Sequence, residues 1–155
     1  MITSTEQIQR DRIVELVRVC DCIYDSLALL EQPSLQMLIE SWQVTRSKYI
    51  AVAEGRIPGV QFSKIVSGFE NGLVELISEL PEMLCNAPAA VIKETVDIFQ
   101  RTIKMELPGL IEKKRKKNEA SIRKIIKRGA IKGEGEFYLI RQAIDELEKG
   151  ADDEK

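Results

Sequence analysis

The sequence predicts an all-α fold of five or six helices, packed mostly antiparallel and closed by a C-terminal helical hairpin. Three observations lead there. Apolar residues recur at intervals of three and four along nearly the whole chain. The five prolines and nine glycines fall mostly where those periodic runs begin or end. No segment alternates apolar and polar residues over the length of a strand. The length suits a single domain over residues 1–155, large enough to bury a core without disulfides or a structural metal. Within it we expect a four-helix core over 5–107, a basic and an acidic helix forming a hairpin over 109–149, and a frayed acidic tail over 150–155.

The first helix is expected over about residues 5–31, capped by Ser4 or Thr5 and bounded by Pro33. Its stripe is Ile13, Leu16, Cys20, Ile23, Leu27 and Leu30, widened on one side by Val17 and Tyr24. Pro33 suits the first turn of a second helix carrying Leu35, Leu38, Trp42, Thr45, Tyr49 and Val52. Gly55 closes that helix, and Ile57-Pro58-Gly59 forms a turn. Trp42 and Tyr49 read as core residues.

The third helix carries Phe62, Ile65, Val66, Phe69, Leu73, Leu76, Ile77 and Leu80. This broad apolar face predicts the most buried helix, stopped or kinked by Pro81. Gly68 and Gly72 lie four apart and predict the close approach of a neighbouring helix. Pro88 starts a fourth helix with Val91, Ile92, Val96, Phe99, Ile103 and Leu107, and Pro108-Gly109 breaks it.

The fifth helix, about 109–128, is set apart by charge. Residues 1–112 carry a net charge of −6, residues 113–128 of +8 and residues 129–155 of −4. The cations are Lys113, Lys114, Arg115, Lys116, Lys117, Arg123, Lys124, Lys127 and Arg128, with Glu119 the one acid among them. Lys113 to Glu119 reads as charged on every side, so that stretch must protrude, bridge to another subunit or meet a partner. Ile122, Ile125 and Ile126 resume an apolar face, and Gly129 ends the helix. The sixth helix, about 134–149, has Phe137, Ile140, Ile144 and Leu147 on one face, with Gly150 past its end. Folded back, its acids Glu134, Glu136, Asp145, Glu146 and Glu148 would lie near the basic helix and partly neutralise it.

The composition excludes several chemistries. Histidine is absent, which removes histidine metal sites, Ser-His-Asp and Cys-His pairs, and the Glu-x-x-His motif of di-metal bundles. Cys20 and Cys22, two apart on a helix, point in different directions and can neither pair nor clasp one metal. With Cys85 they read as reduced thiols in a reducing compartment. Gly133-Glu134-Gly135-Glu136 follows no strand, and its acids would repel a phosphate. Paired carboxylates such as Glu79 with Glu82 read as surface charge. No cofactor and no catalytic or metal-binding residue is expected. Residues 1–12 are polar, without a signal-peptide pattern, and no stretch approaches the roughly 20 apolar residues needed to span a bilayer. A cytoplasmic location and no membrane contact follow as expectations.

What remains is surface. The expected function is non-enzymatic: a helical interaction protein serving as adaptor, subunit or neutralising partner in the manner of an immunity protein or antitoxin. The stripes of the first two helices suit a self-associating homodimer interface or the inside of one bundle. The alternative is nucleic-acid binding through the basic helix 113–128. Against it, the run holds no aromatic for base stacking and the chain is acidic, with a pI near 5.4.

Overall fold

A computed structural model describes residues 2–153, with side chains through residue 148. Among the described residues there are six α-helices and no strand. They are α1 (Ser4–Ala28), α2 (Gln36–Ala53), α3 (Phe62–Met83), α4 (Ala89–Glu106), α5 (Leu110–Arg128) and α6 (Gly133–Asp153), with a 3-10 turn at Pro33–Leu35 leading into α2. The chain divides into two compact units, Met1–Ile111 and Glu112–Lys155.

Most boundaries follow from local chemistry. Thr3, rather than Ser4 or Thr5, caps α1: its Oγ1 accepts the amide of Glu6 at 3.1 Å. The helix ends at Ala28, before the expected residue 31, and Glu31 takes a left-handed φ of 51°. Gly55, Gly109 and Gly129 take positive φ just past α2, just before α5 and just past α5. Pro81 does not stop α3. It lacks the amide that would bond to Ile77 O, yet the helix runs on to Met83, with Leu84 N bonded to Leu80 O at 2.9 Å. Gly150 likewise does not end α6, which continues to Asp153. Residues 154 and 155 of the expected frayed tail lie outside the described residues.

In the first unit α1, not α3, is the most buried helix. It packs against α2, α3 and α4, and so buries a wider arc than its predicted stripe: Ile13, Leu16, Val17, Val19, Cys20, Ile23, Tyr24 and Leu27. Each such aliphatic side chain removed from water contributes about 1.5–3 kcal/mol. On α3 only Val66, Phe69, Leu73 and Leu80 are buried. Gly68 and Gly72 are exposed, and a β-carbon on either would meet nothing within 4 Å, so among the described residues neither is a site of close helix contact. Thr45 of the second stripe is also exposed. Thr95 of α4 is fully buried, its hydroxyl donating to Val91 O at 2.8 Å.

Aromatic rings join the four helices. Tyr24 of α1 stacks on Trp42 of α2 with centroids 5.4 Å apart and meets Phe99 of α4 edge-on at 5.7 Å. Tyr49 of α2 stacks on Phe69 of α3 at 3.9 Å. Three ion pairs repeat the pattern at the rim. Asp21 of α1 holds Arg46 of α2, Arg12 holds Glu70 of α3, and Arg18 holds Glu106 of α4. Each is partly exposed and contributes about 0–1 kcal/mol, so their role is register more than stability.

Candidate functional site

The second unit carries the concentrated positive charge. At 3.6 residues per turn, the cations of α5 fall unevenly around the helix. Between residues 113 and 128, Lys113, Lys116, Lys117, Arg123, Lys124, Lys127 and Arg128 share an arc of about 140°, with Ala120 the single interruption. All seven cations are exposed. The opposite side, made of Ile111, Lys114, Asn118, Ser121 and Ile122, is half-buried, and Ile125 on the same side is buried. The stretch is therefore two-faced rather than charged on every side. Ile126, expected on the covered face, is 69% exposed.

The nine sequence-derived cations separate accordingly. Arg115 lies off the cationic arc and is held on its own helix by Glu112 and by Glu119, the latter at 3.0 Å. The Arg115 hydrogen bond pulls the Glu112 carboxyl below its ordinary pKa, and Glu112 in turn raises Arg115. Lys114 is half-buried on the other face and has an interaction partner. Arg128 closes the arc, donating to Ala130 O at 2.9 and 3.0 Å and pairing with Glu136. The remaining six, Lys113, Lys116, Lys117, Arg123, Lys124 and Lys127, form no ion pair among the described residues. From residue 113 to 127 they line about 21 Å of helix.

Neutralisation by α6 is smaller than expected. Of the five acids expected to face the basic helix, Glu136 pairs with it among the described residues. Its carboxylate accepts the Lys132 amide at 2.6 Å and the Arg128 guanidinium, knitting the turn between α5 and α6. The backbone hydrogen bond from Lys132 and the Arg128 charge hold this carboxyl below its ordinary range. Glu134, Asp145, Glu146 and Glu148 form no ion pair among the described residues. The spacings Glu112–Arg115 and Arg115–Glu119, three and four apart, already marked the acids that would neutralise Arg115.

Elsewhere the described residues offer little for chemistry. No three cysteine or carboxylate side chains among them converge as metal ligands. A shallow depression of about 610 Å³ at the α1–α2 corner is lined by Leu27, Glu31, Pro33, Gln36 and Ile39 among others. Glu31 is its single ionisable lining residue, so it has no acid–base pair. The three cysteines are free, Cys20 buried and the other two exposed. Sequence reasoning missed the cluster of Asp21, Trp42 and Arg46, because nothing in the spacing of Asp21 marks it as the acceptor of an indole one helix away. No helix among the described residues is long and apolar enough to cross a membrane. Comparison with protein-family models, with curated proteins and with solved structures gives no match to the chain.

Proposed function

We propose that the chain is a non-enzymatic interaction protein of the reducing cytoplasm that docks on an acidic surface of a partner protein through the cationic face of α5. The observation that carries this reading is the set of six exposed cations on one face of a single helix that form no ion pair among the described residues. Holding like charges together unpaired is unfavourable in the free protein, and an acidic partner relieves it. Such complementarity steers encounter and fixes register. An adaptor, a subunit and a neutralising partner all fit. Two exposed thiols, free in this chain, support the reducing compartment.

The first unit serves as the scaffold, and we read its helices as a mostly antiparallel bundle. Arg10 lies beside Gly55 whereas Asp21 lies beside Arg46, so α1 and α2 run in opposite chain directions. α5 and α6 are read as a hairpin, with the Arg128–Glu136 pair at its turn.

A second reading, contact with nucleic acid, is favoured by the continuity of the cationic stripe. The first reading is preferred because the stripe is mostly lysine, lacks aromatics, and is short. The remainder of the chain is net acidic and repels a polyanion extending beyond it. Affinity capture from the source cells, with and without nuclease, separates the two. The first reading predicts one stoichiometric protein, retained after nuclease and released by salt. Loss of all captured material after nuclease, with a log–log salt slope near roughly −5 for six phosphates, would replace it with the second.

A further inference from the structure

The sixth helix presents an apolar seam that the second unit does not cover. Phe137, Ile140, Ile144 and Leu147 are spaced by three, four and three, the a and d positions of two heptads. Ile140 is half-buried, but Phe137 is 48%, Ile144 50% and Leu147 75% exposed. Ile125 is the one buried side chain among described residues 112–148. A pair of helices with so small a core needs further apolar burial to be stable. Exposed apolar side chains in contiguous register mark a contact surface. This seam shares no residue with the cationic face of α5.

We infer that the seam of α6 pairs in parallel with the same seam of a second copy of this chain. The side chains specify that occupant and that direction. In the second heptad Ile144 at a with Leu147 at d is the arrangement that favours two parallel strands, and Phe137 and Ile140 fill the same positions of the first. The flanking positions agree. Glu136 lies at g and Arg141 at the following e, the pair that meets across a parallel interface. Arg128 and the Lys132 amide both bind Oε1 of Glu136, which leaves Oε2 for Arg141 of the second copy. Arg141 forms no ion pair among the described residues of its own chain. An antiparallel pair instead sets the flank of Arg141 and Glu148 against itself and loses the Glu136–Arg141 contact. The parallel pair also brings together two α5 helices, doubling the cationic surface available to one partner and raising avidity with no new contact to it.

Sedimentation velocity and light scattering on the full chain test this. The wild-type protein is expected to reach the dimer mass as concentration rises. Ile144→Glu is expected to raise the dimer dissociation constant by on the order of 100-fold, with an unchanged circular dichroism spectrum. A second variant keeps the test independent of how Ile144→Glu folds. In a Cys22→Ser, Cys85→Ser background, Ile144→Cys is expected to cross-link two chains under mild oxidation, because equivalent a positions touch in a parallel pair. Met37→Cys, on α2, is not. A wild-type chain that stays monomeric, a dimer unaffected by Ile144→Glu, or a dimer that Ile144→Cys fails to cross-link would overturn the inference.

Discussion

The indole N–H of Trp42 donates to the Asp21 carboxylate across the α1–α2 contact at 2.9 Å. Trp42 is only 4% exposed, so its N–H relies on this acceptor. Arg46, one turn further along α2, binds both oxygens of the same carboxylate at 3.0 and 3.1 Å. One acid thus satisfies a buried donor and anchors a surface cation. The two roles differ in energy. Asp21→Ala orphans the indole N–H and is expected to cost about 1–3 kcal/mol. Asp21→Asn keeps an acceptor for Trp42, loses the Arg46 ion pair, and is expected to cost less than about 1 kcal/mol. Urea unfolding followed by the emission of Trp42, the single tryptophan, measures both. Equal losses would mean that the ion pair, not the indole bond, holds the contact.

Glycines in different settings should respond in opposite directions. Gly55 has φ of 75°, and a β-carbon there would lie 2.9 Å from Nη2 of Arg10, whose guanidinium stacks over Phe62. Gly55→Ala is expected to destabilise the first unit by about 1–2 kcal/mol. Gly68 and Gly72 sit in the exposed interior of α3 with open space around them. Gly68→Ala and Gly72→Ala are each expected to stabilise by about 0.4–1 kcal/mol. Thermal unfolding of the three variants decides the signs.

Glu136 predicts an acid-sensitive turn between α5 and α6. Its carboxyl is held below its ordinary pKa of 4.5, first by the Lys132 amide and then by Arg128. A depressed carboxyl contributes its stabilisation fully above the unfolded value and loses it as pH falls through the lower folded value. Carbon-detected NMR titration should place the Glu136 midpoint below 4.5. Protection of the Lys132 amide from exchange should fall with that midpoint, and Glu136→Gln should abolish the pH dependence. A midpoint at or above the ordinary value would contradict these contacts.

The three thiols should separate by accessibility. Burial, assisted by the neighbouring Asp21 charge, pushes the Cys20 thiol well above its ordinary pKa, whereas Cys22 and Cys85 are exposed. The thiolate is the reactive form. A thiol-specific disulfide reagent is therefore expected to titrate two groups rapidly in the native protein and the third only on unfolding. Rapid reaction of all three would show that α1 is not packed as described.

The helices were legible because breakers and periodicity act locally: Pro33, Gly55, Pro88 and Gly129 each mark a boundary in sequence and structure alike. What escaped was long-range or angular. The centrality of α1 depends on three neighbours that periodicity does not reveal, and Val19 is buried because α1 is covered from several sides. Pro81 reads as a stop or a kink, but the helix continues two residues past it to Met83. Gly68 and Gly72 looked like a contact because small residues permit close approach, which is not the same as producing it. In the candidate site, counting charges along 113–119 concealed their distribution around the helix. Lys114 and Asn118 turn inward with the isoleucines while the other lysines share one side. The acids of α6 are expected near those lysines because a short turn lets the two helices fold back, yet among the described residues the ion pair seen between them is Arg128–Glu136, at the turn.

The cationic face of α5 as the contact for an acidic partner is tested most directly by reversing its charge without touching its covered side. Lys113→Glu, Lys116→Glu and Lys117→Glu in one chain leave Ile111, Ile122 and Ile125 in place. The expected result is unchanged helical circular dichroism together with loss of the partner protein that the wild-type chain captures at low salt. A charge-reversed chain that folds and retains the same partner with the same salt sensitivity would contradict it.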